Sequence, residues 1–415
     1  MFWTVLRGAV LVGALLPFVY YLVAVYCGWR FFHRQADNHA EFAPPVSVLK
    51  PVRGLDREAY ENFASFCQQN YPTYEILFAA ASEQDPAIPV IRKVMGDFPK
   101  LPIRLLLGAD NRGTNDKVNK LCQLARAARY DLLAISDSDI RVDPNYLKRV
   151  VRPFRDPRVG IVTCPYVGLA EGRLWSELEA LNLSSNFLAG VLVARQTEGM
   201  GFSLGAATAI TRARLGEIGG FEALADYAAD DFELGNRIAA RGYRVELSPY
   251  TVRTMCSSRT FAEFFEHHMR WGIGLRNSRP GGYLGFGVTQ GLPWSLAAIV
   301  ASHSALIGAA YAGAYLSLRL AMAWTVGVWG LRDELLRKKL WLLPLSDALG
   351  SLIWALSFTR NRVLWRGSSF YLRRRRLVPC APGQENISET EESSGGHRPS
   401  FSEEGGAGAR SRNAE

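Results

Sequence analysis

Residues 9–29 (AVLVGALLPFVYYLVAVYCGW) carry no charged side chain. A helix needs about 20 apolar residues to cross the hydrocarbon core of a bilayer. This stretch therefore ties the chain to a membrane before anything else is read. A cleaved leader would be shorter and would end at a small-residue site, whereas this run ends in aromatics and continues into Arg30, His33 and Arg34. Only Arg7 precedes it. The basic excess that follows places the next part of the chain on the cytoplasmic side.

A second apolar region begins near Phe286. Residues 287–318 continue apolar to Leu331, long enough for two spans joined near Ser302-His303-Ser304. Arg332, Arg337, Lys338 and Lys339 then precede another apolar run, 340–358, which holds Pro344 and Asp347. A lone carboxylate in lipid is costly, and crossing would carry Arg360, Arg362, Arg366 and the run Arg373 to Arg376 outside. The expectation is an anchor over 1–36, membrane helices over 284–331 and a re-entrant or interfacial segment over 340–378. Residues 379–415, rich in Gly, Ser, Glu and Arg, are expected to be disordered. The net charge of +9 sits largely beside these apolar runs, which favours anionic headgroups over nucleic acid, and no nucleic-acid module is present. Cys27, Cys67, Cys122, Cys164, Cys256 and Cys380 are scattered without a CxxC pair. That pattern is neither a disulfide framework nor a zinc site and fits a reduced, cytosol-facing body.

Between the apolar ends the pattern changes. VSVLK (46–50), EILFAAA (75–81), IRLLL (103–107) and DLLAIS (131–136) are short apolar runs. Helical patterns over 56–69, 86–97 and 116–129 separate them. Continuous apolar strands alternating with helices predict an α/β fold around a mostly parallel sheet covered on both faces. Ligands in such sheets bind beyond the carboxyl ends of the strands, so functional residues are expected just after positions 50, 81 and 136.

Asp137-Ser138-Asp139 follows the last of these strands. Two carboxylates at a strand mouth suit Mg²⁺ or Mn²⁺, which can bridge a diphosphate; a solvated turn is the plainer reading. Asp85 stands after the second strand, where it can also cap the helix beginning at Pro86. Asp230 and Asp231 open an amphipathic helix. The helix dipole favours acids there, and a carboxylate so placed can also act as a general base. FAEFFEHHMRWGIGLRNSR (261–279) centres on Arg270 and Trp271. It reads either as an interfacial helix with snorkelling arginines or as a diphosphate-binding helix. Adjacent His267 and His268 point to different helix faces, which argues against a metal there.

In order, these residues are Asp85, the DxD, the Asp-Asp pair and Arg-Trp. Together they resemble the D, D, D, (Q/R)xxRW pattern of membrane-bound glycosyltransferases with a GT-A fold. The type is that of ceramide glucosyltransferases, including the bacterial hopanoid-associated enzymes. The likeness covers about residues 46–280 and extends to VSVLKPVRGLD (46–56), PYV (165–167) and the RGYR end of 225–244. The resemblance implies a GT-A catalytic domain over 44–280. It implies Lys50, Pro51, Asp85, Lys117 and Asp137 at the nucleotide sugar, and Asp137 and Asp139 on the metal. It further implies Asp231 as catalytic base, with Asp230, Arg270 and Trp271 at the acceptor and diphosphate. Two departures are visible. Position 267 is His where the motif has Gln or Arg, and Asp139 completes a DxD that eukaryotic ceramide enzymes tend to break with Gly.

The implied activity is inverting transfer of a single hexose from a UDP-sugar, UDP-glucose foremost, to a membrane lipid hydroxyl such as that of ceramide. Transfer to a hopanoid or other lipid, or processive polysaccharide synthesis, is the alternative. A catalytically dead lipid-binding anchor is the rival from another class. The implied setting is a multi-pass cell-membrane protein with its catalytic part in the cytoplasm.

Overall fold

The computed structural model describes residues 1–33, 42–108, 110–365 and 368–380. Apart from Pro379 and Cys380, the Gly- and Ser-rich stretch expected to be disordered lies outside the described residues.

Ten strands build the body: β1 (Val46–Pro51), β2 (Tyr74–Ala80), β3 (Ile103–Leu107), β4 (Leu132–Ser136), β5 (Ile140–Arg141), β6 (Val159–Thr163), β7 (Tyr166–Ala170), β8 (Ala207–Thr211), β9 (Arg244–Leu247) and β10 (Val252–Cys256). The main sheet has the order β3-β2-β1-β4-β8-β6-β9. β1 pairs in parallel with β2 and β4, β2 with β3, and β6 with β9, while β8 runs antiparallel to β4 and β6. The four strands read from sequence are β1 to β4, each within one residue of its expected limits.

Period-two alternation explains why these strands are apolar throughout. Val46, Val48, Ile76, Phe78, Leu132 and Ala134 point into one core with Phe63, Ile91 and Val150. Their neighbours Leu49, Leu77, Ala79, Leu133 and Ile135 point into another with Val118, Leu121, Leu234 and Ile238. With helices on both faces, only the carboxyl edge stays open. A small second sheet, β5-β10-β7, stands at that edge, so the loop joining β4 to β5 is held at both ends.

Among the described residues, three helices are long and apolar enough to cross a membrane: Phe2–Phe32, Ala305–Gly330 and Leu340–Thr359. A fourth forms only if Pro280–Thr289 and Gly291–Ser302, bent by 49°, act as one span. Val12, Leu16, Leu22, Val300 and Leu306 are exposed on these helices, as lipid-facing side chains should be. The chain turns at His303, whose φ is 50°, and Ser304 caps the next helix by accepting from Ile307 N. Gly291 meets Tyr21 so closely that a Cβ there would lie 2.2 Å from the Tyr21 hydroxyl oxygen.

Two features depart from what the sequence suggested. Asp347, the carboxylate that argued against a crossing, is not alone. Arg319 Nε donates to its two oxygens at 2.9 and 3.1 Å, and Tyr315 donates its hydroxyl at 2.9 Å. Arg319 Nη2 also reaches Ser185 on a wide-turn helix, Leu183–Phe187, and so ties two membrane helices to the body. The second departure lies in the 340–378 segment, which is not of one kind. Its later part forms an antiparallel meander of β11 (Arg362–Trp365), β12 (Ser368–Arg373) and β13 (Arg376–Pro379). Val363, Leu372 and Leu377 turn inward while the basic residues face out, an alternation that an expectation built on charge alone overlooks.

The ion pair generates a stability test. Breaking a buried pair strands a charge, at about 3–5 kcal/mol, whereas replacing both partners with apolar side chains is often neutral. Arg319→Ala should therefore lower the melting temperature in detergent micelles sharply. Arg319→Met with Asp347→Leu should recover most of the loss.

Candidate active site

Six of the residues singled out by sequence meet at the open edge. Asp137 and Asp139 follow β4. Asp230 and Asp231 open the helix Asp230–Ala240, and Lys117 lies in the first turn of the helix Asp116–Ala127. Lys50 comes from β1. The Lys117 ammonium holds the group together: Nζ is 2.7 Å from Asp137 Oδ1 and 3.6 Å from Asp230 Oδ2. Burial alone would push this ammonium down, but Asp137, Asp230 and Asp231 together hold it well above its ordinary range. Asn115 caps its helix by accepting from Val118 N, and its Nδ2 donates to Tyr227 O at 2.8 Å and Asp230 Oδ1 at 3.4 Å. One cap thus positions both Lys117 and the acid pair.

Lys50 works from below. Fully buried, its Nζ donates to Asp137 O at 2.9 Å and lies 3.8 Å from the centre of the Phe66 ring. Removal from water pushes it down to about 7, against the pull of Asp139, Asp137 and Asp56. Pro51, buried at the end of β1, pairs with Ala79. Lys50 and Pro51 thus bear on the opening through the backbone they fix. Asp85 accepts from Gly54 N at 2.9 Å and Ala87 N at 2.9 Å. It closes the turn before the helix Ile88–Asp97, whose N-cap is Ala87 with no side-chain cap, so the expected capping role is not found. It also pins the loop after β1, where Gly54 has a φ of 75°.

Asp231 sits close against the backbone at position 205. Its Oδ2 would lie 2.7 Å from a Cβ at position 205, so Gly205 is what allows it to point inward. Ser203 Oγ donates to Asp231 O at 2.6 Å. Desolvation, and then the charge of Asp230, push the Asp231 carboxyl up to about 6. A base poised near neutrality is suited to taking a hydroxyl proton. A water-sized cavity lies beside it, lined in part by Lys117, Gly205, Thr208, Asp230 and Asp231.

Asp139 accepts from Thr254 Oγ1 at 2.9 Å and from Met255 N through its carbonyl at 3.3 Å. Burial, with the charges of Asp137 and Asp56, pushes it up to about 7. Carboxylates crowded beyond what their ammonium partners neutralise are suited to a divalent cation. Among the described residues no group of three or more His, Cys, Asp or Glu side chains is arranged to hold a metal by itself. Two carboxylates with the remaining positions left to phosphate and water is the usual manner of Mg²⁺. The residues present fit such an ion.

Arg270 and Trp271 belong to a separate wall, on the helix Phe261–Ser278. Arg270 lies over the ring of Trp365 in β11, with centroid distance 5.9 Å. Trp271 meets His267 edge-on at 4.7 Å between ring centres. His267 Nδ1 is 2.9 Å from Glu179 Oε1, and Ser258 donates to the other Glu179 oxygen at 2.6 Å. The departure from Gln or Arg at 267 is thus matched by a buried carboxylate. Glu179, Gly205 and Thr254 carried no signal in the sequence, since each acts only through a partner brought from elsewhere in the fold.

The model of glycosyl transferase family 21 matches residues 9–378. Ceramide glucosyltransferase 3 of Caenorhabditis elegans is 28% identical over 267 residues, covering 63% of this chain and 57% of the relative. Ceramide glucosyltransferase 1 of the same organism is 29% identical over 265 residues, covering 62% and 56%. The chain thus spans about half the length of the curated relatives it matches. The mannosyltransferase PcManGT from Pyrobaculum calidifontis, solved with GDP-Man and Mn²⁺, shares the fold with a TM-score of 0.54. It is 19% identical, covering 84% of this chain and 99% of that one.

The raised Asp231 carboxyl fixes a pH dependence. If Asp231 serves as the base, which acts only when deprotonated, kcat should rise as pH climbs through about 6. Asp230→Asn removes the neighbouring like charge and should move this limb to lower pH. A limb unmoved by Asp230→Asn, measured on purified protein from pH 5 to 8, would contradict the assignment.

Proposed function

The chain belongs to glycosyl transferase family 21, and from that premise we propose that it moves a single hexose from a UDP-sugar, UDP-glucose foremost, onto a membrane lipid hydroxyl such as that of ceramide. The observation that carries this reading is the Lys117 bridge between Asp137 and Asp230. It sets a DxD beside a confined carboxylate at the open edge of the sheet. The chain's similarity to ceramide glucosyltransferases supports the lipid class. The nucleotide sugar and Mn²⁺ of the fold neighbour agree with the donor class and with a divalent ion.

In this reading Asp137 and Asp139 would hold Mg²⁺ or Mn²⁺, which supplies neutralisation of the diphosphate when bound. Asp231 takes the proton of the lipid hydroxyl as its oxygen bonds to the anomeric carbon. The bond from that carbon to the diphosphate breaks, and its electron pair leaves with the nucleotide. One displacement from the opposite face inverts the centre. Lys117 keeps Asp137 aimed at the donor side and Asp230 beside the base. The Arg270 guanidinium offers a fork of donors for the departing phosphates. Lys50, Pro51 and Asp85 act by fixing the loops around the nucleotide.

The reading sets the catalytic body in the cytoplasm, and the basic residues after the first span support that side. Residues 340–358 pack against the Phe261–Ser278 helix through Leu343 and Ile353, beside the path a lipid would take to Trp271. With that segment re-entrant, a reporter active only in the cytoplasm and fused at Glu415 should be bright. A dark reporter there beside a bright one after Lys339 would mean that the segment crosses.

The reaction itself is tested with membranes, a panel of labelled nucleotide sugars and mass spectrometry of the labelled lipid. A glycosylated sphingolipid is expected; a labelled hopanoid would reassign the acceptor, and a polymer would make the chain a processive synthase. Asp231→Asn should abolish transfer and leave donor binding intact, because a base acts in the transition state. Asp139→Asn should lose both. Full transfer by both variants in excess EDTA would overturn the mechanism.

A further inference from the structure

The β11–β13 meander follows every membrane helix in sequence yet reaches back to the acid pair. Ala228 N donates to Arg375 O at 3.2 Å, Leu377 N donates to Asp226 O at 2.8 Å, and Thr114 Oγ1 donates to Leu377 O at 3.2 Å. Across the segment 225–228, Asn115 N donates to Ala225 O at 2.7 Å and Thr114 N to Asp226 Oδ1 at 3.1 Å. The backbone leading into Asp230 is therefore clamped between the cap of the Lys117 helix and the meander. Arg375 adds a side-chain contact: its Nη1 donates to Glu233 Oε1 at 3.1 Å. Glu233 is 5% exposed, and its other oxygen lies 3.6 Å from Arg237 Nε. It sits in the same first turn as Asp230 and Asp231.

The turn of the hairpin is itself unusual. Arg373 pairs with Arg376, so Arg374 and Arg375 are the two central residues, at φ 48° and 69°. Two-residue turns with positive φ at both positions favour Asn-Gly or Gly-Gly. A non-glycine residue held there stores strain, and such strain gathers where a side chain has a task. At the other end of the meander, Trp365 lies beneath Arg270. Val363, Leu372 and Leu377 share an apolar cluster with Phe264, Met269 and Ile273 of the Arg270 helix. The same small sheet touches both walls of the site.

We propose that the β11–β13 meander is a strap that sets the two walls of the catalytic site against each other, with Arg375 and Glu233 as positioning residues for the Asp230–Asp231 turn. The proposal rests on the transferase reading for its kinetic consequences, though not for its structural ones.

The discriminating variant is Arg375→Gly in the full-length protein in detergent. Glycine suits the turn, so only the guanidinium is lost. Relief of the turn and the remaining Arg237 partner offset the loss at Glu233, so the melting temperature should change little. The KM for the nucleotide sugar should hold within about twofold and kcat should fall about tenfold, the scale of one charge-assisted hydrogen bond. Arg375→Lys should restore part of kcat, and Glu233→Gln added to Arg375→Gly should cost little more. Hydrogen exchange supplies a readout without substrate: amides of residues 230–234 should exchange faster in Arg375→Gly, while those of β1 and β4 stay unchanged. With a wild type that transfers sugar, an unchanged kcat in Arg375→Gly, or unchanged exchange at 230–234, overturns the strap. If wild type labels no lipid with any donor while Arg375→Gly still speeds exchange, the transferase reading fails and the strap stands.

Discussion

The site is organised around one ammonium. Lys117 lies between carboxylates delivered by a strand end and a helix start that are far apart in sequence, and without it those charges would repel. Two like charges about 4 Å apart near a protein surface repel by about 4 kcal/mol. Lys117, 2.7 Å from Asp137 and 3.6 Å from Asp230, offsets that repulsion while both stay ionised. Much of the local construction serves that cation. Asn115 caps its helix and bonds Asp230, Lys50 fixes the backbone of Asp137 from beneath, and Gly205 leaves the room into which Asp231 turns.

The sheet was legible because its strands are buried on both faces, which writes them as unbroken apolar runs. DLLAIS needed no partner to be recognised, and the acids after it followed from where its carboxyl end must lie. Residues whose part depends on distant partners were not legible in the same way. Asp85 reads equally well as cap or ligand, and the fold gives it two backbone donors, one of them in the loop after β1. Lys50 reads as a binding residue at a strand end, yet its side chain runs inward. Asp347 reads as a lone carboxylate, since nothing in the run 340–358 announces that Arg319, from a separate helix, will meet it. The basic run Arg373 to Arg376 was weighed as charge, and its strand alternation was hidden by long side chains that all score as polar.

The membrane helices and the body are joined by polar contacts as well as apolar ones. Arg319, Asp347, Tyr315 and Ser185 make a bonded group at the junction, and Ser185 lies on a helix whose turns are widened. A directional contact of this kind fixes rotation as well as distance, which apolar packing between helices does poorly. The Arg270 helix is held partly by the apolar helix Leu343–Leu356, through Leu343 and Ile353.

The place of the meander in the chain has a consequence for how the protein is made. Translation runs from the amino end, and β1 to β10 can emerge and pair long before residues 362–379 leave the ribosome. The strands that clamp the acid loop are synthesised only after the apolar helix Leu343–Leu356. A nascent or truncated chain would hold a nearly finished sheet and an unfinished pair of walls. The two ends of the clamp are thus separated by most of the chain, and the acid loop gains its last backbone partners only from residues 375–377.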